Sequence, residues 1–358
     1  MKKMLLIVFS LFISISIADE FVESKTTLGG YGELHYDMEA NDGNGNLDFH
    51  RFILFVKHTF NDKWSMMSEI EIEHNMVYSS GDGGYLAMEQ AYLNYWGGNW
   101  GFKGGVLLVP AGITNEYHEP PTFMSVERPE YNKYIIPTTW FDNGFAFYGK
   151  VGSLDWNFTM VGDMLGNKIS PEKGLRSARL KGVSTTTTDW LKTIQLSWSG
   201  MDGLKLGGSM TMHDAPVWAD ILDPVTGEFV GYDYADQIST IGFNLMEVNA
   251  TYSKNNIYTR FEYGQVDYSG DMDITSSGYY LDFGYNIADM VGCDDSDLFV
   301  WLRNSAYNVA DMGDDTEISL LGVTFKPRNN VSVKFEAGSK TVGDADSDIM
   351  RMGLGYMF

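Results

Sequence analysis

Met350-Arg351-Met352-Gly353-Leu354-Gly355-Tyr356-Met357-Phe358 closes the chain. Every second side chain (Met350, Met352, Leu354, Tyr356, Phe358) is large and apolar, while the alternate set holds one cation, two glycines and one Met. A side-chain period of two belongs to a strand with two unlike faces. A soluble amphipathic strand has the same period, so the rest of the chain must decide which surroundings the apolar face meets.

The opening residues point to export. Met1 to Ala18 carries Lys2 and Lys3, then an apolar run through Ile17, with Ser16 and Ala18 as small residues before a cleavage point. This reads as a signal peptide over 1–18, leaving a mature chain of 19–358 as one domain. No cysteine follows the cut, which excludes a lipid anchor there. Beyond it, no run reaches the roughly 18 to 20 apolar residues of a spanning helix. Aromatics make up 14% of the chain, with 21 Tyr and 21 Phe, and charged residues 20%. Such a composition suits barrel strands and interfacial aromatic girdles. The net charge is −23, or −25 without Lys2 and Lys3. That excludes nucleic acid as the natural partner, because phosphate binding needs a basic surface. Cys293 is the only cysteine, so no intrachain disulfide can form.

The mature chain divides into sixteen candidate strands: 28–38, 47–60, 63–76, 84–96, 100–110, 142–151, 154–166, 188–199, 204–214, 237–252, 256–269, 276–286, 297–308, 315–327, 330–341 and 348–358. Alternation is clear in Tyr279, Leu281, Phe283 and Tyr285 against Tyr280, Asp282, Gly284 and Asn286, and in Val331, Val333 and Phe335 against Ser332, Lys334 and Glu336. Tight turns at Asn61-Asp62, Ser253-Lys254-Asn255-Asn256 and Arg328-Asn329-Asn330 fall between long connections at 39–46, 111–141, 167–187, 214–236, 287–296 and 309–314. Short turns at one end, long loops at the other and an even strand count are the layout of an all-β transmembrane antiparallel β-barrel of the bacterial outer membrane, with about 16 strands.

The final strand, with its terminal Phe358, resembles the closing strand of such barrels, where that residue belongs to the signal read by the insertion machinery. A more specific resemblance lies in Val109-Pro110-Ala111-Gly112-Ile113, Asn115-Glu116-Tyr117-His118-Glu119-Pro120-Pro121-Thr122-Phe123, Val126-Glu127-Arg128-Pro129 and Ile136-Pro137-Thr138-Thr139-Trp140. With the Glu69, Glu71, Glu73 strand and Met88-Glu89-Gln90-Ala91-Tyr92-Leu93, these are similar to the porin O and P family, the phosphate-selective porins and their uncharacterised relatives. The resemblance covers most of the mature chain. It implies a sixteen-stranded trimeric porin whose third long loop folds into the lumen.

Pro110, Pro120, Pro121, Pro129 and Pro137 keep that loop out of any ladder. Its apolar side chains, Tyr117, Phe123, Tyr131, Tyr134, Ile135, Ile136 and Trp140, suit a segment folded inward against the wall, whereas the alternative is a rigid extracellular cap. His118, Glu119, Glu127 and Arg128 are the expected constriction-loop residues. His118-Glu119 has no second histidine at ligand spacing, so no metal and no cofactor is expected. Asp42-Gly43-Asn44-Gly45-Asn46-Leu47-Asp48 has the oxygen spacing of a calcium loop, but Ile53 stands where the bidentate Glu belongs.

Parity assigns Glu69, Glu71 and Glu73 to one face. Charge facing lipid is costly, about 2–4 kcal/mol for Arg or Lys at the midplane. The inward, pore-lining set is therefore Arg51, Glu69, Glu71, Glu73, Glu89, Arg260, Glu262, Arg303, Lys334, Glu336 and Arg351. Six acids against five bases predict a neutral or weakly cation-preferring pore. The expected function is passive diffusion of small hydrophilic solutes or ions. The alternatives are an anion- or phosphate-selective channel of the same family, an adhesin barrel, or an outer-membrane enzyme. No enzyme is expected, since Ser125, His118 and Glu127 lack motif character. Outer-membrane lipids, lipopolysaccharide, small solutes and two further copies in a homotrimer are the expected partners.

Overall fold

The computed structural model describes residues 24–38, 45–75, 84–170, 173–270, 273–293, 295–310 and 313–358. The expected signal peptide at 1–18, the first half of the Asp42 loop, and loop acids Asp294 and Asp311 lie outside the described residues.

Sixteen strands form one closed barrel in which each strand pairs with its sequence neighbours. They are β1 (Lys25–Asp37), β2 (Asn46–Thr59), β3 (Trp64–Glu73), β4 (Leu86–Trp96), β5 (Trp100–Leu108), β6 (Phe141–Val151), β7 (Leu154–Val161) and β8 (Leu191–Met201). β9 (Leu204–Leu222), β10 (Phe229–Lys254), β11 (Ile257–Gly270), β12 (Thr275–Asn286), β13 (Asp297–Asn308), β14 (Thr316–Arg328), β15 (Val331–Val342) and β16 (Ala345–Met357) complete it. The seam joins β1 to β16 antiparallel, from Tyr31 opposite Met357 to Asp37 opposite Arg351. Arg351 Nε meets Asp37 Oδ2 at 2.9 Å across that seam. Phe358 extends it by exchanging backbone bonds with Gly30, at 2.9 and 3.0 Å. Closure leaves no sheet edge, which is what a bilayer demands of a strand protein.

The period of two sorts the wall. On β16, Met350, Met352, Leu354 and Tyr356 are exposed, while Gly353 and Gly355 are buried. On β12, Leu281, Phe283 and Tyr285 point out, while Tyr280, Asp282 and Gly284 are buried. Similar exposed rows of Phe145 and Phe147, Ile194 and Leu196, Leu302, Leu321 and Val333 circle the barrel. That belt of apolar side chains is the surface a lipid phase covers. Among the described residues no helix is long and apolar enough to cross a membrane.

Two expected connections are corrected. Residues 214–236 are not a long loop, because β9 and β10 continue as a hairpin to Leu222 and Phe229. Pro216 lies within β9, opposite Thr240, and costs this ladder only one donor. Register shifts between Asp233 and Ser239 absorb the mismatch. The 287–296 connection does not alternate with the tight turns. Counting strands places it at the same barrel end as the Asn61, Asn255 and Asn329 turns, where it forms a helical turn over Ala288–Val291.

A local irregularity sets one corner of the lumen. Glu33 pairs with Arg51 but His35 pairs with Asp48, so β2 carries an extra residue there. The bulge resets the alternation. It brings Asp48, His50 and Arg51 toward the same side, where the His50 ring stacks on His35 at 5.0 Å.

Candidate functional site in the barrel interior

Residues 109–140, between β5 and β6, leave the wall through a narrow neck. Val109 N donates to Trp140 O at 2.8 Å. The Asn115 amide seals the neck, donating to Val109 O (2.8 Å) and Trp140 O (3.0 Å) and accepting from Trp140 N (2.9 Å). Single helical turns at Ile113–Glu116 and Tyr131–Tyr134 and a 3-10 turn at Pro120–Thr122 shape the rest. These short turns satisfy backbone amides that the prolines deny to a sheet.

The segment then reaches the far wall. Glu262 of β11 accepts from Ile113 N at 2.6 Å and from the Asn132 amide at 3.0 Å. Glu336 of β15 accepts from Val126 N at 2.7 Å. Lys334 donates to the carbonyls of Pro120 and Ser125, both at 2.7 Å, and lies 3.8 Å from the Phe123 ring centre. Lys326 donates to Pro121 O, and Thr324 to Met124 O. β5 and β6 lie about half a barrel away from β14 and β15 in the strand order.

Apolar packing accompanies these bonds. Tyr131, Ile135, Ile136 and Trp140 are fully buried against Leu107, Phe243, Leu245, Val266 and Tyr280 of the wall. Each such side chain contributes about 1.5–3 kcal/mol on burial. Wall glycines make room. A Cβ on Gly355 would lie 2.4 Å from Pro120 Cβ, and one on Gly353 would lie 2.9 Å from Val126 Cγ1. Gly264 and Gly278 leave the same kind of space for Tyr131.

Most of the wall charges read from the sequence are held in contacts, out of water. Arg51 meets Glu33 Oε1 at 2.7 Å and Glu71 Oε1 at 3.2 Å. Arg303 grips Asp282 with two bonds, 2.6 and 2.7 Å. Arg351 joins Glu336 (3.3 Å) to Asp37. Arg260 is buried and donates to Thr122 O at 3.5 Å. Glu69 and Glu89 are buried beside His118, and Glu73 sits half-buried at the end of β3. Of the loop residues, Glu119 is half-buried, and Arg128 donates to His118 O at 3.4 Å. Glu127 accepts from His35 Nδ1 at 2.6 Å. Burial alone would raise its carboxyl, but the His35 hydrogen bond and charge hold it down to about 2.

A second connection, 162–190, folds onto the first. Asp163 anchors it, accepting from Thr186 Oγ1 and from the backbone of Thr188, Asp189 and Trp190. Arg179 donates to the carbonyls of Thr138 and Thr139, and Arg176 to Thr138 Oγ1. Among the described residues no carboxylate lies within ion-pair distance of Arg128, Arg176, Arg179 or Lys181. Burial, then the like charge of a neighbour, disfavours the charged form of three of them: Arg128 acts on Arg176, Arg176 on Arg179 and Arg179 on Lys181. Like charges so gathered are relieved by an anion.

Two cavities flank the inward segment. One of about 520 Å³ lies toward the long-loop end, lined by seven bases, including Arg128, Lys133 and Arg176, against Asp37, Glu127 and Glu130 as acids. Glu130 is paired to Lys340 and Asp37 to Arg351, so the unpaired charge here is positive. The other, of about 500 Å³, lies toward the tight turns and includes Lys205 and Arg260 against Glu116 and Asp202, the latter paired to Lys254. The expected neutral or cation-leaning balance rested on a count of charges by face. Wall charges cancel in pairs, and the bases left over sit largely on the loops. The density of Lys168, Lys173, Arg176, Arg179 and Lys181 in an acidic chain was the available signal.

The Arg303–Asp282 pair gives a stability prediction. Arg303→Ala leaves a fully buried carboxylate with its bidentate partner gone. Breaking one side of a buried pair costs about 3–5 kcal/mol. Urea unfolding of the barrel in lipid vesicles should show that loss, and a change below about 1 kcal/mol would mean that water already solvates Asp282.

No family model matches the chain. A protein of Aquifex aeolicus (strain VF5), described as uncharacterized, is 28% identical over 376 residues, covering 94% of this chain and 81% of its own. Among solved structures, the trimer form of OmpT, an outer membrane protein of Vibrio cholerae, superposes with a TM-score of 0.60 at 12% identity, covering 94% of this chain and 99% of its own. An anion-selective porin from Comamonas acidovorans gives a TM-score of 0.62 at 11% identity, over 94% of this chain and all of its own. The fold is that of outer-membrane porins.

Proposed function

We propose that this protein is an outer-membrane diffusion channel, a single barrel domain released from its leader at 1–18, which passes small hydrophilic solutes and prefers anions. The observation that carries the reading is the 109–140 segment, bonded to the far wall through Glu262, Lys326, Lys334 and Glu336. A sixteen-stranded barrel encloses an aqueous lumen, and a segment fixed across it narrows the path. The anion preference is supported by Arg128, Lys133 and Arg176 beside the outer cavity, none of them in an ion pair among the described residues. Rings of one sign select the opposite ion. Membership of the porin O and P family and a homotrimeric assembly belong to the same proposal. The quoted loop residues support the first, and the trimeric neighbour of like fold supports the second. An enzymatic role has no comparable support.

Planar-bilayer recording of the purified protein in potassium chloride tests the reading. Discrete conductance steps with a chloride-directed reversal potential are expected. Protein that assembles as a heat-modifiable barrel yet opens no channel would overturn it.

A further inference from the structure

Beneath the inward loop, His118 Nε2 and both carboxylate oxygens of Glu89 are buried close together without a hydrogen-bond partner among the described residues, and the Tyr31 hydroxyl, whose ring packs on His118, is likewise unpartnered. Tyr31, Glu69, Glu89 and His118 are each 2% exposed or less. Orphaned buried groups are rare in folded proteins, and several facing one point call for an occupant.

The surroundings orient these atoms. His118 Nδ1 donates to the Asn115 carbonyl at 3.1 Å, which leaves the Nε2 lone pair aimed at the wall. Such a bond on the second ring nitrogen is how metal-binding imidazoles are held. Gln90 donates to one oxygen of Glu69 at 2.6 Å, leaving the other for the cluster. Nε2 stands 3.6 Å from Glu69 Oε1 and 3.5 Å from Glu89 Oε2. A charge-assisted hydrogen bond is shorter, about 2.7–2.9 Å. Ligands on a tetrahedral ion with bonds of about 2.0–2.2 Å stand roughly 3.4 Å apart. The Tyr31 ring packs edge-on to His118, with centroids 6.3 Å apart.

Charge points the same way. Glu33, Glu69, Glu71 and Glu89 are all buried in this corner, and the neighbouring guanidiniums are Arg51 and Arg128. Counting also His35 and Glu127, which bond each other while His35 bonds Glu33, five negative charges face three positive ones, a deficit that a dication closes.

We propose that Glu69, Glu89 and His118 bind one divalent transition-metal ion of the zinc class, with the Tyr31 hydroxyl or water in the remaining position. One imidazole with two carboxylates suits zinc better than magnesium or calcium, which take oxygen ligands. The ion fastens the inward loop, through His118, to β3 and β4. That fastening role rests on the channel reading, and the binding does not. A second cluster, Asp48, His50 and His74, is also compact, but both imidazoles there already donate to Asp48, at 3.0 and 2.8 Å.

The test is metal binding by the whole barrel in detergent, stripped with chelator and titrated with zinc alone. One zinc per chain is expected. His118→Gln and Glu89→Gln should each weaken binding more than about 100-fold, beyond what outer-shell changes cost, while His50→Gln leaves it unchanged. X-ray absorption of the zinc-loaded, unsubstituted protein should show nitrogen and oxygen ligands at about 2.0–2.2 Å. No stoichiometric zinc in the unsubstituted protein overturns the site even if the variants fail to assemble. Zinc retained in His118→Gln, or lost in His50→Gln, overturns it as well. Channel recording is separate: conductance without zinc removes the site alone, and zinc without conductance removes the channel reading alone.

Discussion

Replacing residues 117–135 with a short Gly-Ser bridge should raise single-channel conductance several-fold. The cut spares Val109, Asn115 and Trp140, so the neck that seals the loop to the wall stays closed. It removes Pro120, Pro121, Met124, Ser125 and Val126, whose backbone meets Lys334, Lys326, Thr324 and Glu336 across the lumen. Those wall groups then face water and remain solvated, so the deletion leaves no charge buried alone. The strand ladder is untouched, and heat-modifiable mobility should persist. The two flanking cavities, about 500 and 520 Å³, would merge into one aqueous path. An intact barrel with unchanged conductance would place the narrowing elsewhere and sink the assignment.

The second large effect concerns ion preference. Substituting Arg128, Arg176 and Arg179 together by Gln should move the reversal potential in a potassium chloride gradient from the chloride side toward the potassium side. None of these guanidiniums has a carboxylate within ion-pair distance among the described residues, so their removal leaves no buried anion behind. The paired cations Arg51, Arg303 and Arg351 remain neutralised by Glu33, Asp282 and Glu336. The shift should be largest at low salt and fade near 1 M, where the Debye length is about 3 Å. Identical reversal potentials in both proteins would return selectivity to the wall charges.

The alternation of Met350 to Phe358 was enough to place that strand and its lipid-facing side, because a strand's faces follow from local geometry. The loop was legible from its prolines and buried aromatics, which no ladder could hold. What the sequence could not supply was the partner of each charge. Arg260 and Glu262 are two residues apart and share a face, yet each is turned to the loop: one to Thr122, the other to Ile113 and Asn132. His118 lacked a second histidine at ligand spacing, and its neighbours Glu69 and Glu89 come from two strands that only the inward fold of the loop brings beside it. Residues 162–190 were readable as a long connection, but their seat on Thr138 and Thr139 depends on tertiary contact.

The glycines beneath the loop impose an order on assembly. Gly353 and Gly355 form the floor under Val126 and Pro120, and both belong to the last strand of the chain. Neither residue of the loop has that seat until β16 has paired with β1 and β15. The loop can pack early against β11 and β12, but its far half waits for closure. The strand that closes the barrel is thus also the strand that completes the loop's seat.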